Sequence, residues 1–122
     1  MIVLPVEKIL IAGDIVVQNM APSFRDANVK SWIATLDQIG TMDLKTIIPG
    51  HGPVMLPKQV PDMRTRMSKL YNAVEAGYKK GLTDAEIRKT LDLSEWKNMV
   101  SFEQLMGGNV NRTFLEIEQK NF

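Results

Sequence analysis

Two short motifs carry the residues whose types and positions could do chemistry. Gly13-Asp14 follows the apolar run 8–12, and Pro49-Gly50-His51-Gly52 follows the apolar segment 45–48. Carboxylate and imidazole are the ligands expected for zinc, iron or manganese where thiolates are absent. His51 is the only histidine among 122 residues, and the chain has no cysteine. Asp14 and His51 are therefore the candidate metal ligands, with no second histidine to complete a site.

Each motif taken alone also has a plain structural interpretation. An aspartate after a buried strand often starts a turn or caps a helix, and a histidine in a Gly-Pro turn can simply be exposed. Together they indicate more, because both follow an apolar strand, and α/β folds gather ligands at the carboxyl ends of strands. Their glycine neighbours also allow the backbone to approach a bound group closely. The pair therefore favours a metal site over two unrelated turns.

Composition and charge exclude several classes of function. The chain is 44% hydrophobic and 24% charged, which is ordinary for a folded domain, and its net charge of +1 offers no basic surface for nucleic acid or membrane. The lack of cysteine excludes a disulfide framework, a thiolate zinc site and a cysteine nucleophile. No stretch approaches the roughly 20 apolar residues of a membrane span, and no signal peptide is visible. We expect a soluble protein whose compartment the sequence does not assign.

The first part of the chain is predicted to contain three short strands and one helix. Residues 2–4 and 8–12 predict a hairpin, with the second strand fully buried, and residues 16–25 predict a loop. An apolar stripe predicts a helix over about 26–39, ended by Gly40. Residues 45–48 predict a β-branched strand that runs into the PGHG turn.

The second part of the chain is predicted to be helical, which gives an α/β fold class. A stripe from Met63 to Tyr78 predicts a long helix closed by Gly81, and the capping box Thr83–Glu86 predicts a helix over 84–91. Residues 95–105 are predicted to be helical in part and to end at Gly107-Gly108. Asn109 is predicted to cap a last helix, which frays from about Gln119. We interpret residues 1–56 as the metal-site half and residues 57–122 as the helical region of the same domain.

These motifs resemble a known family. The runs KILIAGDIV, SWIATLDQI and TIIPGHGPV look like the C-terminal half of the metallo-β-lactamase fold. The later segments GLTDAEIRKTLDL and NVNRTFLEIEQK also resemble the C-terminal region of bacterial zinc hydrolases in that superfamily. The resemblance covers nearly the whole chain from Ile2.

The resemblance implies a fold, a metal site and a reaction type. The implied fold is half of a four-layer αββα sandwich, in which two sheets pack face to face between helices. Asp14 matches the aspartate that bridges two metal ions, and His51 matches the last histidine, which ligates the second ion. The signature His-x-His-x-Asp-His of the first half is missing from the sequence. The implied cofactor is zinc, with iron or manganese as alternatives.

The sequence leaves three functions open. The first is a truncated C-terminal portion of a metal-dependent hydrolase, inactive and weakly metal-binding when alone. The second is a non-enzymatic module whose uncovered sheet drives homo-oligomerisation. The third is one chain of a split enzyme, complemented by the missing N-terminal half. The substrate is not predicted by any of the three.

Overall fold

The described residues form a three-stranded sheet and four helices, which confirms the predicted mixed α/β class. The computed structural model describes residues 1–17, 21–25, 27–99 and 102–121. Among the described residues, no helix is long and apolar enough to cross a membrane. The elements in chain order are β1 (Ile2–Leu4), β2 (Ile9–Val17), α1 (Val29–Gly40), β3 (Thr46–His51), a 3₁₀ turn (Pro57–Gln59), α2 (Val60–Lys79), α3 (Asp84–Thr90) and α4 (Phe102–Lys120).

The central strand β2 pairs differently on its two sides. It is antiparallel to β1, with Val3 opposite Leu10, so the predicted hairpin is confirmed. It is parallel to β3, with Leu10 opposite Ile47. Parallel neighbours need a crossover connection, and α1 supplies it. The carboxyl ends of β2 and β3 therefore lie at the same edge of the sheet.

The two faces of the sheet differ in what covers them. Leu10, Ala12 and Ile47 point to the face that packs against the helices, and each is at most 3% exposed. Their neighbours point to the opposite face because side chains alternate along a strand. The register places Ile2, Ile11 and Ile48 in one row across that second face. These three residues are 60%, 36% and 39% exposed, so the second face is an uncovered apolar surface.

The helices bury a single core against the covered face. The stripes predicted for α1 and α2 supply many of its side chains, and α3 and α4 add Ile87, Val110 and Ile117. The predicted capping box at the start of α3 is present, since Thr83 accepts from the N–H of Glu86 and the Glu86 side chain accepts from the N–H of Thr83. Periodicity in the sequence therefore located the buried faces of these helices correctly.

Several predicted boundaries in the first part were wrong. The second strand is not fully buried, because Ile11 faces the open side, and it continues to Val17 into the predicted loop. Helix α1 begins at Val29, since the side chain of Asn28 accepts a hydrogen bond from Ser31 and caps it. The earlier predicted start, Asp26, lies outside the described residues. Strand β3 begins one residue later than predicted and extends through His51.

The prediction that Gly107-Gly108 ends a helix was also wrong, because α4 passes through both glycines. Each glycine costs about 1 kcal/mol of helix propensity, and the packing of the helix outweighs that cost. A Cβ atom at Gly107 would lie 2.9 Å from the Arg88 guanidinium, so this glycine leaves room for that side chain of α3. The helix then continues to Lys120, beyond the predicted start of fraying.

Asn109 is a buried tether rather than the predicted helix cap. It is 2% exposed, and its Oδ1 accepts from the backbone N–H of Phe24 at 2.9 Å. Its Nδ2 donates to the carbonyl of Pro22 at 2.6 Å. The side chain therefore satisfies two buried backbone groups, those of Pro22 and Phe24, between β2 and α1.

We predict that Asn109→Ala lowers the free energy of unfolding by about 2–4 kcal/mol, because two buried backbone groups lose their partner. Asn111→Ala is the matched control in the same helix, since Asn111 is exposed and bonds only the Asp84 carboxylate. We expect it to cost less than about 1 kcal/mol. Urea unfolding followed by circular dichroism measures both. Equal stability of the two variants would contradict the tether.

Candidate metal-binding site

Asp14 lies in an irregular part of β2, not beyond the end of the strand as the sequence suggested. Gly13 pairs with Pro49, and Val17 pairs with His51. Between these two pairs, β2 advances by four residues while β3 advances by two. Gly13 has a φ of 60°, a conformation that favours glycine. The motif therefore forms a bulge, and a bulge re-aims side chains at the end of a sheet.

Gly50 is the point of closest approach between the two motifs. A Cβ atom built on Gly50 would overlap Asp14 Oδ1 and would lie 2.8 Å from the backbone nitrogen of Asp14. Real Cβ atoms do not approach other atoms so closely, so only glycine fits without a shift of the bulge. The PGHG motif thus needs a glycine at position 50 to leave room for the carboxylate of Asp14.

His51 ends β3 beside this carboxylate. Its Nδ1 lies 3.1 Å from Asp14 Oδ1. Both side chains are open to water, with 61% of His51 and 78% of Asp14 exposed. The two candidate ligands, 37 residues apart in the sequence, therefore lie side by side at the carboxyl edge of two parallel strands. This is the juxtaposition expected from their positions after the apolar runs.

Helix α1 supports the bulge through a contact that the sequence did not predict. The indole N–H of Trp32 donates to the backbone carbonyl of Ile15 at 2.8 Å. The Trp32 ring also packs edge-on against Phe24, with centroids 5.6 Å apart. Its place on the apolar stripe of α1 predicts an ordinary core position. In the structure it is half-buried and ties the residue after Asp14 to the crossover helix.

The spacing of the two ligand atoms suits a shared metal ion. Ligand atoms at about 2.0–2.2 Å from one ion are roughly 2.8–3.6 Å apart, depending on octahedral or tetrahedral geometry. The observed 3.1 Å falls within this range, and the same distance suits an ion pair. Over residues 1–17, 21–25, 27–99 and 102–121, no group of three or more His, Cys, Asp or Glu side chains could hold a metal ion. The residues present thus provide two ligands of a site.

Comparison with known proteins adds no assignment. No protein-family model matches the chain, and no curated protein matches it.

We predict that Gly50→Ala lowers the free energy of unfolding by about 1–3 kcal/mol, because the new methyl group must displace Asp14 and its backbone. Gly108→Ala is the control, since nothing lies within 4 Å of its Cβ position. It should raise stability by up to about 1 kcal/mol through helix propensity. Denaturant unfolding of both variants measures the difference. If both substitutions stabilise the protein, the close approach of Gly50 to Asp14 is wrong.

Proposed function

We propose that this chain is the C-terminal portion of a metal-dependent hydrolase of the metallo-β-lactamase superfamily. The observation that carries the proposal is the pairing of Asp14 with His51, 3.1 Å apart where the bulge of β2 meets the carboxyl end of the parallel strand β3. The close fit of Gly50 against Asp14 supports it, because the PGHG motif then has a steric reason for its first glycine.

Asp14 and His51 would hold the metal through different atoms. A carboxylate has two oxygens and can give one to each of two cations, so Asp14 suits a bridging position. The imidazole of His51 offers one ring nitrogen to an ion and keeps the other for a hydrogen bond. When bound, metal of this kind lowers the pKa of a water molecule and polarises a carbonyl or phosphoryl oxygen. The chain's own contribution is to fix two ligands on a rigid sheet edge.

Two ligands are too few for catalysis, so the proposal places the others on another polypeptide segment. A catalytic zinc site has three protein ligands and a water molecule. The uncovered apolar face of the sheet supports the same conclusion, because a second sheet packed about 10 Å away would bury the row Ile2, Ile11 and Ile48. In this proposal the chain forms half of a four-layer αββα sandwich. Alone, it does not hydrolyse substrate.

We predict that the chain alone binds one Zn²⁺ ion weakly, with a Kd between roughly 1 µM and 0.2 mM, which is about half the free energy of four-ligand structural sites. Calorimetric titration gives the affinity. The ring nitrogen resonances of the single histidine report in the same samples whether His51 is a ligand. His51→Ala and Asp14→Asn should each abolish the binding.

Asp43→Asn is the control for this titration. Asp43 is an exposed carboxylate paired with Lys8 at 2.9 Å, and it precedes the start of β3 whereas His51 ends that strand. Its loss should leave the affinity unchanged. Zinc binding that survives His51→Ala would place the site elsewhere. A Kd below about 0.1 µM would mean that the ligand set is already complete, and would remove the need for another segment.

A second candidate function is self-association through the uncovered face. In addition to the row Ile2, Ile11 and Ile48, the turn residue Val6 is 88% exposed, and Val54 and Leu56 after β3 are more than half exposed. Contiguous exposed apolar surface of this kind is typical of an interface. The free edge of β1 adds unpaired backbone groups that a second copy could match.

We predict that the purified chain forms a dimer or a larger oligomer at micromolar concentration, and that Ile11→Lys dissociates it. Ile11 lies on the central strand in the middle of the open face, so a charge there should oppose burial of that face. Leu115→Lys is the control, because Leu115 is similarly exposed at 44% but lies on α4. Sedimentation velocity separates the species. A monomeric wild type would contradict self-association. The uncovered face of the sheet would then be available to a different chain.

A further inference from the structure

A second polar site lies at the junction of three helices. A pocket of about 550 Å³ opens between the start of α1, the middle of α2 and the end of α4. Its charged residues are Lys30, Arg112, Lys120 and Glu116, which give three positive charges and one negative charge. The lining therefore carries a net charge of +2, although the chain as a whole carries only +1.

Tyr71 contributes an unpaired hydroxyl to this pocket. The residue is 6% exposed, and its hydroxyl makes no hydrogen bond to any other described residue. Among the described residues, Arg66 Nε is the one side-chain atom that is both closed off from water and without a hydrogen-bond partner. The Tyr71 hydroxyl is therefore in contact with water. Tyr71 lines the pocket together with Lys120 and Glu116. A largely buried hydroxyl is normally hydrogen-bonded, and here its partner is water or a ligand in the pocket.

The Tyr71 hydroxyl is in the protonated form that can donate a hydrogen bond. Burial raises the pKa of Tyr71 above its ordinary value; the positive charge of Lys120 opposes this shift, and the negative charges of Glu75 and Glu116 add to it. The hydroxyl therefore stays protonated at neutral pH and can donate a hydrogen bond to an acceptor in the pocket.

The single carboxylate of the pocket is already engaged. Glu116 Oε1 accepts from the backbone N–H of Val29 at 2.6 Å, and Oε2 accepts from that of Lys30 at 3.2 Å. Glu116 thus caps the first turn of α1, where a negative charge is favourable. Its negative charge is directed to the helix end, and the positive side chains of the pocket remain for another anion.

The positive side chains keep most of their donors free within the described part of the chain. Arg112 donates from Nε to the carbonyl of Ala27 at 3.2 Å, which orients the guanidinium and leaves its two terminal nitrogens for a ligand. Lys120 has its nearest carboxylate oxygen, from Glu75, at 4.0 Å, the outer limit of an ion pair. Guanidinium and ammonium groups around one neutral O–H donor are suited to an oxyanion.

We propose that this pocket binds a small dianionic oxyanion, namely inorganic phosphate or the phosphate group of a small metabolite. Tyr71 and Arg112 donate hydrogen bonds to it, and Lys120 and Lys30 balance its charge. A dianion matches the +2 lining, whereas a monocarboxylate would neutralise only half of it. The site uses neither Asp14 nor His51, so it does not depend on the proposed metal chemistry.

The test is a titration of the whole chain with sodium phosphate at pH 7.5 in the presence of EDTA, which removes any metal. Sodium chloride and sodium acetate at matched ionic strength serve as the comparison anions. Amide NMR shifts give the affinity and locate the site, and thermal unfolding gives the stabilisation. We expect phosphate to shift residues around the pocket and to bind about tenfold more tightly than acetate.

Two pairs of variants separate this site from general charge effects. Tyr71→Phe should fold with unchanged stability in chloride, since the hydroxyl it removes is unpaired, and should bind phosphate about tenfold more weakly. Tyr78→Phe is its control on the same helix, where Tyr78 packs against Phe114. Lys120→Gln should also weaken binding. Lys79→Gln, which removes the other partner of Glu75, should not.

Three results would overturn the proposal. Equal effects of phosphate and chloride at the same ionic strength would mean that the pocket binds no oxyanion. Equal affinity of acetate and phosphate would refute the preference for a dianion. Equal phosphate affinity of the wild type and Tyr71→Phe would remove the hydroxyl from the site. Each result leaves the zinc titration unaffected, so failure here and failure of the metal proposal are distinguishable.

Discussion

The parallel pairing of β2 with β3 is the constraint on which the rest of the structure depends. It requires a crossover, and α1 makes that crossover while burying its apolar stripe against the sheet. The same pairing brings the carboxyl ends of two strands to one edge, so that Asp14 meets His51 across Gly50. The indole N–H of Trp32, on α1, donates a hydrogen bond to Ile15 and so connects the bulge to this helix. The pairing of β2 with β3 therefore determines both the core and the candidate site.

Local sequence patterns predicted much of this fold. The hairpin, the buried stripes of α1 and α2 and the capping box of α3 each depend on residues close together in the chain. The juxtaposition of Asp14 and His51 followed from one further rule, that ligands gather at the carboxyl ends of parallel strands. For the hairpin, the stripes and the capping box, a short window of sequence contains the whole physical cause, whereas the Asp14–His51 pair also needs the pairing of β2 with β3.

The wrong predictions share the opposite property. Taken locally, Gly107-Gly108 predicts the end of a helix. Helix α4 nevertheless continues, because residues on both sides of the pair bury their side chains in the core. Asn109 reads as a cap, but its partners Phe24 and Pro22 are more than 80 residues away. Gly13-Asp14 reads as the end of a strand, whereas pairing with β3 carries the strand onward as a bulge. In each case a long-range contact outweighs a local preference of about 1 kcal/mol.

Under the proposed function, the two candidate ligands and the uncovered sheet face have a common physical explanation. Two exposed ligands hold a metal weakly, partly because water competes for the ion and screens its charge. A layer packed on the open face would bury apolar side chains, and the same layer could lower the effective dielectric constant around Asp14 and His51. Completion of the fold and completion of the site would then be one event. Metal affinity and burial of the open face should therefore rise together when the correct partner binds, whereas self-association through Ile11 would bury the face without supplying a histidine.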